Sequence, residues 1–338
     1  MPAEFPRPVP LPEFHCLRSG TLDLAGLPRD RMHLVHVGGR GLRVDLPAGW
    51  MSVWIPLRGA PDIATPADAY RSPDDALPQW PLPTGRMLVA RGDLLTARTR
   101  APALCLLLAG TPAAWNALLR TLPGAPACGD IFARQWACAR PLRRAAVRMA
   151  QCLRSATFAT LDPPAGLSAQ RVFALALVDA QRDLEPFVDR CNGRTPQRRR
   201  LTLQRLLRTH QLIERDPEAR LELAQLARSA NYSPWHLIRM YREVFGETPS
   251  EHAARLRLER AWSLVRDSAM PVCLITQHLG YESQSAFCRA FKNAFGLTTT
   301  QVRHLPVEVA RLRSHAANHV RPRNAIAGTT RAARHAVS

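Results

Sequence analysis

The spacing of apolar and polar residues divides the chain into stretches of different period. Up to about residue 110 the apolar positions come in short runs. Arg31–Val37 alternates, Trp50–Ile55 and Arg86–Ala90 are strand-like, and Ala103–Leu108 is apolar throughout, as a strand covered on both faces would be. Gly38-Gly39, Pro47-Ala48-Gly49 and Arg91-Gly92-Asp93 supply turns between them. Several short strands punctuated in this way predict a small barrel or sandwich. From residue 112 the period lengthens to that of a helix, over 112–122, about 141–157 and 168–191. In the last of these Ser168 is placed to cap, and Val172, Leu175, Val178 and Ala180 are expected on one mostly apolar face. The arginine-rich stretch at 191–200 reads as a linker, and 201–304 as helical throughout. Residues 314–338 lack any period and read as part of a disordered basic tail. The expected organisation is a strand-then-helix domain at 1–190, the linker, a helical domain at 201–304 and a tail at 305–338.

Within 201–304 one unit occurs twice. Ser233–Gly246 and Ser283–Gly296 align at a constant offset of 50, pairing Leu237 with Phe287, Arg239 with Arg289, Tyr241 with Phe291, Arg242 with Lys292 and Phe245 with Phe295. An internal duplication accounts for so many matched positions. Each copy predicts a helix with a serine cap at its start and a glycine just past its end. Leu237, Met240, Tyr241, Val244 and Phe245 form one apolar stripe, and Phe287, Ala290, Phe291, Ala294 and Phe295 form the other. A short apolar helix precedes each copy. Leu223, Leu226, Ala227 and Ala230 lead into Asn231-Tyr232-Ser233, and Val272, Ile275, Thr276 and Leu279 lead into Gly280-Tyr281-Glu282-Ser283. A short helix, a tight turn and a second helix with a polar outer face make a helix-turn-helix, here present twice and joined by a helix at about 250–266.

Charge changes the picture by naming a class of partner. The 338 residues carry a formal net charge of +19, and Lys292 is the one lysine among 46 basic residues. Such a balance points to a polyanion, either nucleic acid or an anionic membrane surface. The longest apolar stretch, about Ala101–Ala109, is far short of a membrane span, and no secretory signal is legible. The eight cysteines form no CxxC pair and are expected to be mostly buried free thiols in the cytoplasm.

Residues 201–304 resemble the DNA-binding domain of the AraC/XylS family of bacterial regulators. The residues that carry the resemblance are Leu226-Ala227, Ser233, Leu237, Phe245-Gly246, Arg257–Ala261 with Leu264, Ile275 and Leu279–Tyr281. It continues through Gln284-Ser285, Phe287, Arg289–Lys292, Phe295-Gly296, Gln301 and Arg303. Thr276, Thr299 and Val302 depart from the family's usual residues at packing or turn positions. The resemblance implies two recognition helices entering successive major grooves of double-stranded DNA, with RNA polymerase a further partner. Arg239 and Arg289 are then the candidates for bidentate guanine contacts, with Gln284 and Ser285 as polar readers and Trp235 and Ile238 as contacts to thymine methyls. Lys292, Arg242 and His236 are the candidates for phosphates. The N-terminal half is weakly similar to the cupin-like sensor of many family members, Arg91-Gly92-Asp93 being its marker. The expected fold class is therefore α+β. A small cupin-like β-barrel with helices is followed by an all-α domain, and a small-molecule effector and a homodimer are expected with it.

Two other classes compete. One is a cupin-type metalloenzyme fused to a DNA anchor. His33 and His36, at i and i+3, point to opposite faces of a strand, and no further histidine–carboxylate spacing suggests a metal. No nucleophile elbow or phosphate-binding glycine loop is present either, so neither a cofactor nor a catalytic residue is expected. The other is a nonspecific architectural DNA binder, which charge alone would satisfy but two capped reading helices would not require.

Overall fold

The computed structural model describes residues 10–65, 79–122, 124, 127–158, 163–215 and 222–305. Apart from Leu305, the tail expected at 305–338 lies outside the described residues. The chain forms two compact units, Met1–Gln211 and Leu212–Ser338.

In the N-terminal unit, strand β1 (Glu13–Leu17) lies parallel to β3 (His33–Gly39). The sheet continues through β10 (Ala103–Gly110), β5 (Met51–Arg58), β8 (Arg86–Arg91) and β11 (Arg134–Ala137). A second sheet runs β2 (Thr21–Asp23), β4 (Arg43–Leu46), β9 (Leu95–Arg98), β6 (Asp62–Ala64) and β7 (Gln79–Pro81). Val35, Val37, Trp54, Cys105 and Leu107 from the first sheet pack with Val44, Leu46, Ile63 and Ala97 from the second. The other face of the first sheet, with Leu34, Val53, Ile55, Leu106 and Leu108, is covered by α1 (Pro112–Leu119), α2 (Arg140–Phe158) and α3 (Pro163–Asp179). Being buried on both sides, β10 has no polar position, which is why its sequence does not alternate. Trp115 ties a helix to this sheet by donating its indole N–H to the Met51 carbonyl at 2.8 Å.

Several expectations need correction. The strands form two open sheets rather than a closed barrel: no pairing among the described strands joins them, and the second sheet's strands, of three or four residues, are short for wrapping round. Gly38 and Gly39 continue β3 and do not form a turn. The helix expected at 168–191 is two helices, α3 and α4 (Glu185–Arg190), with Ser168 inside the first. Pro163 and Pro164 start α3 earlier with preset φ, and Pro186 cannot continue a helix because it lacks an N–H and crowds the preceding turn. The buried stripe of α3 is Ala169, Phe173, Ala174 and Leu177, whereas Val172 and Leu175 are 48% and 50% exposed. Of the cysteines, only Cys105, Cys128 and Cys191 are buried, and Cys16 and Cys273 are exposed. Burial pushes the Cys105 and Cys191 thiols up to about 12, so they remain protonated packing groups.

Helix α5 (Pro196–Arg215) occupies half of the stretch expected as linker, and the division between units falls within it, after Gln211. Its first four turns belong to the N-terminal unit. There the Gln204 amide accepts from the Ala133 N–H at 3.0 Å and donates to the Ala133 carbonyl at 3.2 Å, and Leu203, Leu206 and Leu207 are buried.

Beyond α5 the C-terminal unit is α6 (Leu223–Ser229), α7 (Pro234–Phe245), α8 (Pro249–Asp267), α9 (Val272–His278), α10 (Gln284–Phe295) and α11 (Thr299–Arg303). The second half packs around Trp262, Val265, Ile275, Leu279, Phe287, Phe291 and Val302. Among the described residues no helix is long and apolar enough to cross a membrane.

Candidate nucleic-acid interface

The two copies are built from the same local devices. Asn231, at φ 55°, ends α6 in the left-handed region that asparagine tolerates, and Gly280, at φ 69°, does the same after α9. The next residue in each copy, Tyr232 or Tyr281, donates its N–H back to the Ala227 or Thr276 carbonyl, closing the helix end. Up to this point the copies are 49 residues apart. Glu282 is the added residue that makes the offset 50 from Ser283 onward.

Ser233 caps α7 by accepting from the His236 N–H at 3.4 Å, and Ser283 caps α10 by accepting from the Ala286 N–H at 3.1 Å. Such a cap contributes about 1 kcal/mol to its helix. Gly246 and Gly296, at φ 84° and 69°, close the two helices, and their positive φ is why glycine stands there. The repeat then continues beyond the glycines. Thr248 and Glu251 form a capping box at the start of α8, as Thr298 and Gln301 do at the start of α11.

These devices orient the faces. Leu237, Met240, Tyr241 and Val244 are buried in the first copy, and Phe287 and Phe291 in the second. The departures from the family pattern are absorbed in packing. Val302 and Thr299 are buried, and Thr276 is buried with its hydroxyl donating to the Val272 carbonyl at 2.8 Å.

Opposite the apolar stripes lie the sequence-predicted site residues. Trp235 is 69% exposed and is no part of the core, and the Arg239 guanidinium lies 5.4 Å from its ring. Arg239 also faces Glu243, one turn along, at 3.6 Å. His236 and Ile238 are half-buried, with the His236 ring 4.8 Å from that of Tyr232. Arg242 is exposed, but its Nη2 holds both oxygens of Glu251, at 2.9 and 3.1 Å, which ties the last turn of α7 to the first turn of α8. In the second copy Gln284, Ser285, Arg289 and Lys292 are all exposed. Neither Arg289 nor Lys292 has an ion pair among the described residues. Cys288 is half-buried against the core.

The acidic partners Glu243 and Glu251 were not singled out in the sequence, although their signals are there. Glu243 is four residues past Arg239, and Thr248-Pro-Ser-Glu251 is the capping-box pattern. Glu251 is held below the usual carboxylate range, first by the Thr248 backbone N–H and further by the Thr248 hydroxyl and Arg242. Buried between α7 and α8, the Tyr241 hydroxyl lies 2.6 Å from His252 Nδ1. Burial, and next the Glu247 and Glu214 carboxylates, push that hydroxyl well above its usual range, so it stays protonated.

A helix-turn-helix domain model matches residues 226–304. The MmsAB operon regulatory protein of Pseudomonas aeruginosa is 33% identical over 94 residues, which are 28% of this chain and 31% of that protein. This chain thus spans under a third of that relative's length. Regulatory protein SoxS of Salmonella typhimurium is 36% identical over 84 residues, 25% of this chain and 78% of SoxS. Among solved structures the chain is similar to the C-terminal domain of AraT, a response regulator from Geobacillus stearothermophilus, at 30% identity and a TM-score of 0.28, covering 29% of this chain and 83% of that one. Since the likeness to SoxS extends over more than three quarters of that regulator's length, the chain belongs to the AraC/XylS family of transcriptional regulators.

Proposed function

We propose that this regulator reads a specific DNA site through α7 and α10, placed in successive major grooves by α8, and that its N-terminal unit carries the response to a small-molecule effector and self-association. One observation carries the reading of DNA: Arg239 and Arg289 stand exposed at equivalent positions, each two residues past a buried anchor, Leu237 or Phe287. The nineteen residues of α8 span roughly 28 Å at about 1.5 Å per residue, against about 34 Å for one turn of DNA. In this reading the two arginines contact guanine edges, Gln284 and Ser285 read alongside Arg289, and Trp235 and Ile238 lie against thymine methyls. Lys292 and His236 hold phosphates. Arg242 serves chiefly to join α7 to α8, because Glu251 already holds its guanidinium. The DNA-binding domain proposed is residues 201–304, of which the part from Leu212 on groups as a compact unit of its own.

The test is selection of preferred sites by the full chain and by Arg239→Ala and Arg289→Ala, at matched salt. Each substitution is expected to cost about 1–3 kcal/mol on the preferred site and to flatten preference in its own half-site only. Equal weakening on every sequence would show that these arginines hold phosphates and that other side chains read the bases.

A further inference from the structure

Histidine–carboxylate spacing along the sequence shows no metal set, but the pairing of β1 with β3 creates one. The two strands are parallel with Glu13 opposite His33, and alternation puts His15 on the same face two residues on. That face looks into the space between the sheets, since Leu17, Val35 and Val37 continue it into the inter-sheet core. His36 lies on the opposite face, 3.7 Å from the Cys16 thiol, as its i, i+3 spacing from His33 requires.

Three ligand atoms, one each from Glu13, His15 and His33, lie within 4.8 Å of one another. His15 Nε2 is 3.1 Å from His33 Nδ1, which is 3.8 Å from a Glu13 carboxylate oxygen. Tetrahedral bonds of about 2.0–2.1 Å separate neighbouring ligand atoms by roughly 3.3 Å, so the 3.1 and 3.8 Å spacings suit one ion, and the remaining pair needs the half-exposed Glu13 side chain to turn towards His15. The His33 ring is fully buried and stacked on Trp50, with centroids 5.7 Å apart and planes 16° apart. Its Nε2 donates to the Pro28 carbonyl at 2.7 Å. A carbonyl only accepts, so the proton sits on Nε2 and the Nδ1 lone pair faces His15 and Glu13. A ring N–H held by a backbone carbonyl, with the other nitrogen turned to a cluster of donors, is the arrangement that orients metal-binding histidines.

We propose that Glu13, His15 and His33 bind one divalent transition metal ion of the zinc class in the N-terminal unit. Two imidazoles and a carboxylate make a nitrogen–oxygen donor set that favours such ions over calcium or magnesium. Three protein ligands leave a position for water or a small ligand. Glu13 is half-exposed on an edge strand, which gives the ion a way in. Arg31, whose charge acts on Glu13, is itself paired with Asp30 at 3.3 Å.

The full-length protein, stripped with a chelator, is titrated with Zn²⁺ against a chromophoric indicator and with Co²⁺ by absorption. One equivalent should bind the wild type, with a cobalt spectrum free of thiolate charge-transfer bands. His15→Asn and Glu13→Gln, at partly exposed positions and checked for unchanged melting, should each weaken that equivalent at least tenfold. They serve in case His33→Asn fails to fold. Cys16→Ser should leave it unchanged. The site is refuted if the wild type binds no metal, if both variants bind as it does, or if Cys16→Ser abolishes binding.

Discussion

The first and second helix-turn-helix copies share a frame and differ in charge. Between Ser233 and Glu251 the first copy holds Glu243, Glu247 and Glu251; the second has Asn293, Leu297 and Gln301 at the same places. Each acid of the first copy has a basic partner: Glu243 meets Arg239, Glu247 meets Arg255 at 2.8 Å, and Glu251 meets Arg242. Gln301 makes the same capping box as Glu251 without the charge, and among the described residues Arg289 and Lys292 meet no acid. The interiors differ in the same coordinated way. Tyr241 and His252 form a buried hydrogen-bonded pair, and their equivalents, Phe291 and Val302, are apolar together. Changing both partners leaves no buried polar atom stranded, which is how one frame accommodates two cores.

The comparison breaks most severely in the second core. Phe291 is fully buried, 5.7 Å from Phe287 and stacked on Trp262 at 6.1 Å. Phe291→Ala should cost about 3–5 kcal/mol in chemical denaturation. A loss under about 1 kcal/mol would mean that this core is not packed as described. Tyr241→Phe, which copies the second unit's ring into the first, removes the bond to His252 and should cost about 1–3 kcal/mol. Adding His252→Val should recover part of that loss, and a strictly additive double mutant would show that the two side chains are not coupled.

Smaller effects sharpen the electrostatic side. Glu243→Gln frees Arg239 and should strengthen DNA binding about two- to fivefold at low salt, from an exposed pair worth roughly 0.3–1 kcal/mol. Asn293→Glu should weaken binding by a similar factor, and anisotropy titrations over a range of salt would reveal either change. No change in either variant would mean that the outer faces do not approach DNA. Least of all, Glu251→Gln should lower stability by under about 0.5 kcal/mol after solvent screening, because glutamine can still cap as Gln301 does. Glu251 titrates below its unfolded value of about 4.3, so its charge stabilises the fold above that pH and ceases to as the pH falls through the lower folded value. The gap between wild type and variant in thermal melts should therefore persist at pH 7 and close as the pH falls through Glu251's lowered folded value.

Most of the C-terminal frame was legible in the chain. Its devices are local: a serine cap acts over three residues, a closing glycine over one, and an apolar stripe over two turns. Ser233, Gly246, Ser283, Gly296 and the stripes through Leu237 and Phe287 consequently stand where the pattern puts them. Whether a side chain is free to contact DNA is not local in the same sense. The pattern gives Arg242 and Lys292 the same position, and only the approach of α8 to α7 commits Arg242 to Glu251.

In the N-terminal unit the sequence by itself placed β5, β8, β10, α1 and α2, because burial on one or both faces sets their period. It did not determine which strands pair. Val172 and Leu175 had helical spacing, yet the fold buries Phe173 and Leu177 instead. Strand register joins residues far apart in the chain, and nothing in the spacing of Glu13, His15 and His33 shows that a parallel pairing will set them side by side. Tertiary structure decided the open sheets, the division inside α5 and that cluster, because each depends on contacts whose free energy exists only once distant segments have met.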